Sequence, residues 1–201
     1  MLGGRPSEAK WMPFGFLPLQ TAFLASMVAA DFAFGLVVKN VLAPTHILSV
    51  VRIDMVIPVM LMLTARKVVD RFGTLILYQA VWGTFALFAM PAALGLPGIL
   101  KLPPVLLQGL VMDSLMSILK RRHKARFILA ALSGGVIGSL CSFSLKVALG
   151  MPWTDLIRWL FGVQLFTGMF VWAAGAALAL MVWERIKDTQ MVKRLTYVPS
   201  D

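Results

Sequence analysis

QTAFLASMVAADFAFGLVVKNVL, residues 20–42, decides how this chain has to be read. At about 1.5 Å per residue its twenty-three residues make a helix of about 35 Å, enough to cross a hydrocarbon layer of about 30 Å. It holds one acid, Asp31, and one base, Lys39. Further apolar runs follow at about 47–64, 74–94, 103–119, 127–149 and 156–183, so the sequence predicts six membrane-spanning helices in one all-α transmembrane domain, 1–201. Turn signals separate the runs: Pro44, the segments 66–73, 91–104 and 120–126, and Gly150-Met151-Pro152. The composition agrees. Of 201 residues, 59% are hydrophobic and 14% charged, against about 45–50% and about 25% in soluble domains. Mean hydropathy is +0.84.

The net charge of +10 would point to nucleic acid in a soluble protein. In a membrane chain it points to the Lys and Arg bias of cytoplasmic loops, and no nucleic-acid partner is predicted. Six crossings place both termini on one side. That side collects fourteen of the nineteen Lys and Arg, leaving Lys39, Arg52, Lys101, Lys146 and Arg158 for the other. The expectation is a multi-pass protein of the cell membrane with both ends cytoplasmic. Arg5 and Lys10 precede an apolar stretch as in a signal peptide, but the stretch is too long for one and reads as a retained helix. The sequence has no tandem repeat, and the two halves share no convincing inverted pattern.

A charge in hydrocarbon costs at least about 2.5–3.5 kcal/mol, so each one in a span calls for a reason. Asp31 lies in mid-helix. Arg52 and Asp54 interrupt the second run, whose uninterrupted part, 55–65, is too short to cross alone. Asp113 sits seven residues before Lys120, about 10 Å inward. Gln79, Gln108 and Gln164 are polar at similar depth. Lys39, His46, Arg52, Asp54, Lys146 and Trp153 all fall in the outer half, where a wet pocket for a small polar molecule is the simplest common cause. With Gln108 and Asp113 they form the predicted substrate-binding set. The cations favour a carboxylate, a phosphate or an electron-rich ring, and the tryptophans allow a flat ring to stack. Other readings stay open: Lys39, Lys146 and Arg158 as snorkelling chains, Trp153 and Trp159 as interfacial anchors, Arg52 with Asp54 as a structural pair, Asp113 as an interhelical hydrogen-bond partner.

In the first helix, Ala25, Ala29 and Ala33 recur at four-residue spacing and line one face with methyl groups, so that another helix can approach closely. This stripe suits generic packing and also a docking face. Six helices in about two hundred residues, cytoplasmic ends, the Ala-x-x-x-Ala-x-x-x-Ala pattern and a polar segment after it resemble the substrate-binding S components of energy-coupling factor (ECF) vitamin transporters. The stretch from Lys39 through Arg52-Ile53-Asp54 to Pro58 is similar to that family's passage from its first helix to its second. Phe72-Gly73 followed by Gly83 is similar to its third-helix pattern, with Thr74 where the family usually has Pro. Gly109 and Asp113 match its small-residue and Asp positions. The resemblance covers nearly the whole chain and rests mainly on topology. It implies a substrate pocket near the outer face under the loop after the first helix. It also implies docking of Ala25, Ala29 and Ala33 on a transmembrane scaffold protein coupled to two cytoplasmic ATPases, with toppling in the membrane to release substrate.

Several chemistries have no residues to carry them. A phosphate-binding Gly-rich loop is absent from the sequence, so ATP would be hydrolysed by a partner. His46 and His123 fall on opposite sides, and Cys141 is the one cysteine, so no His-pair or Cys-based metal site and no cofactor is predicted. Ser133 and Ser139 lack a histidine base at their depth. The basic cluster from Lys120 to Lys124 suits a topology determinant and also an anionic membrane lipid or partner acids. The leading expectation is a non-enzymatic capture subunit for a small water-soluble vitamin or related metabolite. Two rivals remain: a structural or assembly subunit of a larger membrane complex, and a membrane enzyme acting on a lipid intermediate through Asp31, Asp113 and the basic loop.

Overall fold

The computed structural model describes residues 15–42, 53–89 and 96–196. They are helical, with no strand among the described residues. Helix α1 runs Pro18–Leu42. A 3-10 turn, Ile53–Met55, leads into α2, Val56–Val69, which is followed by α3, Thr74–Ala89. A second 3-10 turn, Gly98–Lys101, leads into α4, Leu102–Ile118, and α5 runs His123–Ala148. Two short helices, α6 (Trp153–Phe161) and α8 (Gln190–Thr196), flank the long α7, Val163–Ile186.

Among the described residues four stretches are long and apolar enough to cross a membrane: Pro18–Val38, Gly98–Ile118, Lys124–Ala148 and Leu165–Ile186. Helix α3 is apolar but has 16 residues and α2 has 14, both below the roughly 20 of a full crossing. Helix α2 is the most shielded, with eight of its 14 residues buried. The buried side chains Val59, Leu63 and Ala65 of α2 meet Leu75 and Tyr78 of α3, Met112 and Met116 of α4, Phe127 and Ala130 of α5, and Ala176 and Ala179 of α7 in one core.

The structure corrects three of the boundaries read from sequence. The 66–73 segment is not all turn: α2 continues to Val69, and the reversal starts at Asp70, which takes the left-handed conformation (φ 47°) and donates its N–H to the Arg66 carbonyl at 2.9 Å. Likewise 120–126 is half helix, because α5 starts at His123 and takes Arg126 into its first turns. Cations usually mark span ends, but Arg66 and Arg126 are buried, 2% and 1% exposed. The third correction is to 156–183, which is broken at Gly162, where the backbone is extended (φ −94°, ψ 176°). A Cβ there would lie 2.2 Å from the Arg158 carbonyl oxygen. Residues 47–52 and 90–94 of the second and third runs lie outside the described residues.

Helix α1 touches the body along one stripe. Gln20, Leu24, Val28 and Asp31 are buried, and at 100° per residue they fall within about 80° of arc. Ala25, Ala29 and Ala33 are exposed on the other side. The described ends of the chain meet: Gln20 Nε2 donates to the Leu195 carbonyl of α8 at 2.9 Å, and Arg71 Nη1 donates to the Gly15 carbonyl. Val192 and Leu195 of α8 pack on Val68 near the end of α2, so this end of the bundle also holds Arg66, Lys67 and Arg71. It is the basic end.

Small residues set the helix spacing. At Gly175 of α7, a Cβ would meet Val59 Cβ at 2.7 Å and the Val56 carbonyl oxygen at 2.8 Å. The backbone oxygen cannot step aside, so Gly175→Leu forces α2 and α7 apart. We expect a loss of about 1–3 kcal/mol, read as lower thermal stability in detergent. Ala177→Leu, on the exposed side of the same helix, should leave stability unchanged.

Candidate functional site

A cavity of about 50 Å³ lies between α1, the first 3-10 turn, α2, α3 and α4. One enclosed water needs about 10–15 Å³, so the space suits several waters or a compact solute. Each of the four helices lines it with a pair of residues one turn apart: Asp31 and Gly35, Pro58 and Met62, Gln79 and Trp82, Val105 and Gln108. Residues three or four apart share a helix face, so one face of each helix is turned to this space. Asp54 and Met55 of the 3-10 turn complete the lining.

Among the described residues the polar side chains of the lining are two carboxylates, two amides and the indole of Trp82. Asp31 and Asp54 are 3% and 4% exposed. Asp31 reaches the lining because it belongs to the buried stripe of α1, and it is held there by Tyr78 of α3, whose hydroxyl donates to Asp31 Oδ2 at 2.9 Å. That hydroxyl is also 3.3 Å from the Met27 carbonyl. Gln79 Nε2 donates to Met62 Sδ at 3.1 Å. Gln108 faces Gly138 of α5, where a Cβ would come within 3.1 Å of its Oε1. Ionised carboxylates only accept hydrogen bonds, amides do both, and the Trp82 ring offers a flat face. Such a lining takes a solute that presents N–H or O–H donors. Among the described residues the lining charges are acidic; the cations Arg52 and Lys39, expected at this level, fall outside the described side chains.

The predicted site residues therefore divide. Asp54 and Gln108 line the cavity; Asp31, Gln79 and Trp82 join them without having been placed in that set. Asp31 and Gln79 carried a signal, as polar side chains at membrane depth. Trp82 carried none, because an aromatic in an apolar run is ordinary. Lys146 and Trp153 are not brought to the cavity. Lys146 Nζ lies 4.9 Å from the centre of the Phe143 ring near the end of α5, and Trp153 is 61% exposed at the start of α6. His46, Arg52 and the side chain of Lys39 lie outside the described residues. Ala25, Ala29 and Ala33 leave an exposed face on α1. No group of three metal-binding side chains occurs among the described residues.

Asp113 is not part of the lining either. It is fully buried and accepts from Arg66 Nε of α2 and from the backbone N–H groups of Leu75 (2.8 Å) and Ile76 (3.4 Å). Those amides open α3, where helical N–H groups lack intrahelical acceptors and a negative charge is favoured. Arg66 Nη2 donates to Ser117 Oγ at 2.8 Å, Ser117 Oγ donates to the Asp113 carbonyl at 2.8 Å, and Arg66 Nη1 reaches Asp70 Oδ1 at 3.4 Å. The carboxylate is thus spent on joining α2, α3 and α4 at the basic end. Asp31 lines the cavity and Asp113 does not, so the two carboxylates that the lipid-enzyme reading combines stand in different settings.

No family model, curated protein or solved structure matches the chain.

Asp113→Ala leaves Arg66 and two helix-opening amides without their acceptor in a buried site. It should cost about 3–5 kcal/mol, measured by unfolding in detergent. Arg66→Met combined with Asp113→Leu should cost much less than the two single changes summed.

Proposed function

We propose that the chain is the substrate-capture subunit of an ECF-type importer for a small water-soluble vitamin or related metabolite. In this reading it crosses the cell membrane six times with both ends in the cytoplasm, binds solute in the cavity between α1 and α4, and performs no chemistry on it. Energy comes from two cytoplasmic ATPases through a transmembrane scaffold protein that docks on Ala25, Ala29 and Ala33.

The observation that carries the reading is the cavity itself. A membrane bundle admits buried carboxylates and amides only where their polar atoms are matched, and among the described residues two of each converge on a space that four helix faces leave open. Two further features support it. The meeting of α1 and α8 at the basic end agrees with an even number of crossings and with cytoplasmic ends. The exposed alanines of α1 agree with a helix that meets a partner helix closely.

Native mass spectrometry of the purified protein tests this. We expect one small compound to be retained, and Asp31→Asn and Asp54→Asn each to weaken its retention by about 10- to 100-fold, the worth of a charge-assisted hydrogen bond. Arg158→Gln, on exposed α6, should retain it fully. A wild-type protein that carries no compound and takes none up from cell extract would sink the proposal.

A further inference from the structure

Two arginines are buried at the basic end, and they differ. Arg66 spends all three side-chain nitrogens on Asp113, Asp70 and Ser117. Arg126 is 1% exposed, yet its Nε and Nη2 have no hydrogen-bond partner. Its guanidinium lies 5.7 Å from the centre of the Phe127 ring, which supplies no acceptor for those two nitrogens; a guanidinium cannot shed its proton to escape burial, and buried donors without acceptors are costly.

The surroundings deepen the mismatch. Lys67 feels the positive charges of Arg126, Lys120 and Arg66, so the four cations form one cluster. Among the described residues the acids within reach are already engaged. Asp113 is taken by Arg66 and the opening of α3; Asp70, which favours the Arg126 charge through space without a hydrogen bond to it, is held by Arg66 at 3.4 Å and Lys120 Nζ at 3.6 Å. Arg126 also lies near the start of the 26-residue α5, where the helix dipole adds positive potential. Exposure falls inward through the cluster, from the Lys120 side chain at 69%, through half-buried Lys67, to Arg126.

We propose that Arg126, with Lys67 and Lys120, binds a phosphate anion at the basic end, and that the phosphodiester of an anionic membrane lipid occupies the site. A phosphate supplies several acceptor oxygens and matches the guanidinium fork, which a single water cannot do. The level suits a lipid. The apolar stretch of α5 begins at Lys124, so Arg126 stands where hydrocarbon gives way to headgroups. The headgroup enters from the side of Lys67, whose ammonium is steadied 4.9 Å from the centre of the Trp183 ring.

The test uses full-length protein stripped of lipid in neutral detergent. Phosphatidylglycerol, phosphatidylcholine and inorganic phosphate are added separately and followed by native mass spectrometry and thermal unfolding. Phosphatidylglycerol should bind and raise the unfolding temperature, phosphatidylcholine should not, and Arg126→Gln and Lys67→Gln should each weaken the binding about tenfold or more. Without lipid, Arg126→Gln should be at least as stable as the unmodified protein, because it removes a buried cation with two nitrogens lacking acceptors; a purely structural arginine would give the reverse. Should Arg126→Gln fail to fold, Lys67→Gln, on a half-exposed residue, decides the matter alone. Equal binding of the two lipids, or undiminished phosphatidylglycerol binding in the variants that fold, overturns the proposal. Inorganic phosphate acting as strongly as phosphatidylglycerol, with the same loss in the variants, keeps the anion site and overturns the lipid. No response to either leaves the Arg126 nitrogens to water and overturns both parts.

Discussion

The pairing of Arg66 with Asp113 ties α2, α3 and α4 together at the basic end. Neither charge belongs in an apolar interior, and each is tolerable there only because the other is present and the remaining polar atoms are matched. The match is wide. Asp113 receives the guanidinium on one oxygen and the first amides of α3 on the other, while Ser117 returns a hydrogen bond from the next turn of α4. The link from α2 to α3 is only Asp70 to Gly73, with left-handed backbone at both ends (φ 47° and 91°). A connection that short needs its helices held at fixed positions, and the ion pair holds them.

The same pairing sets the register of the cavity. Along α3, Gln79 and Trp82 lie one to two turns beyond the amides that Asp113 caps. Along α4, Gln108 and Val105 precede Asp113 by five and eight residues, about 7–12 Å at 1.5 Å each. Along α2, Met62 and Pro58 precede Arg66 by four and eight. Because α2, α3 and α4 are pinned in rotation at the basic end, the side chains one and two turns further on are aimed by helical geometry alone. A polar cavity in a membrane bundle requires such aiming, since a rotation of half a turn would present Gln79 or Gln108 to lipid.

Much of this was legible in the sequence, and the part that was not has physical causes. The fourth run, 103–119, differs from α4 by one residue at each end, because Pro at its start and a basic turn after it leave little freedom. That Asp113 needs a buried partner could be read from its depth; that the partner is Arg66 could not, because an arginine beside Lys67 and Arg71 reads as a loop cation. The 156–183 run concealed a break because Gly162 interrupts the backbone without interrupting the hydrophobicity. The need of Asp31, Asp54, Gln79 and Gln108 for an interior position was readable from their place in or beside apolar runs. Direction around each helix axis was not, so Lys146 and Trp153 were grouped with the pocket by level alone.

The one-sided attachment of α1 has a mechanical corollary. Its inward edge delivers Asp31 and Gly35 to the chamber, while its outward edge is a smooth row of methyls. The two edges belong to a single rigid rod about 10–12 Å across, side chains included. A body leaning on the outer row therefore bears on the chamber wall directly, with no chain of intermediates. The occupancy of the space within and the fit of a neighbour without are two readings of where one rod stands.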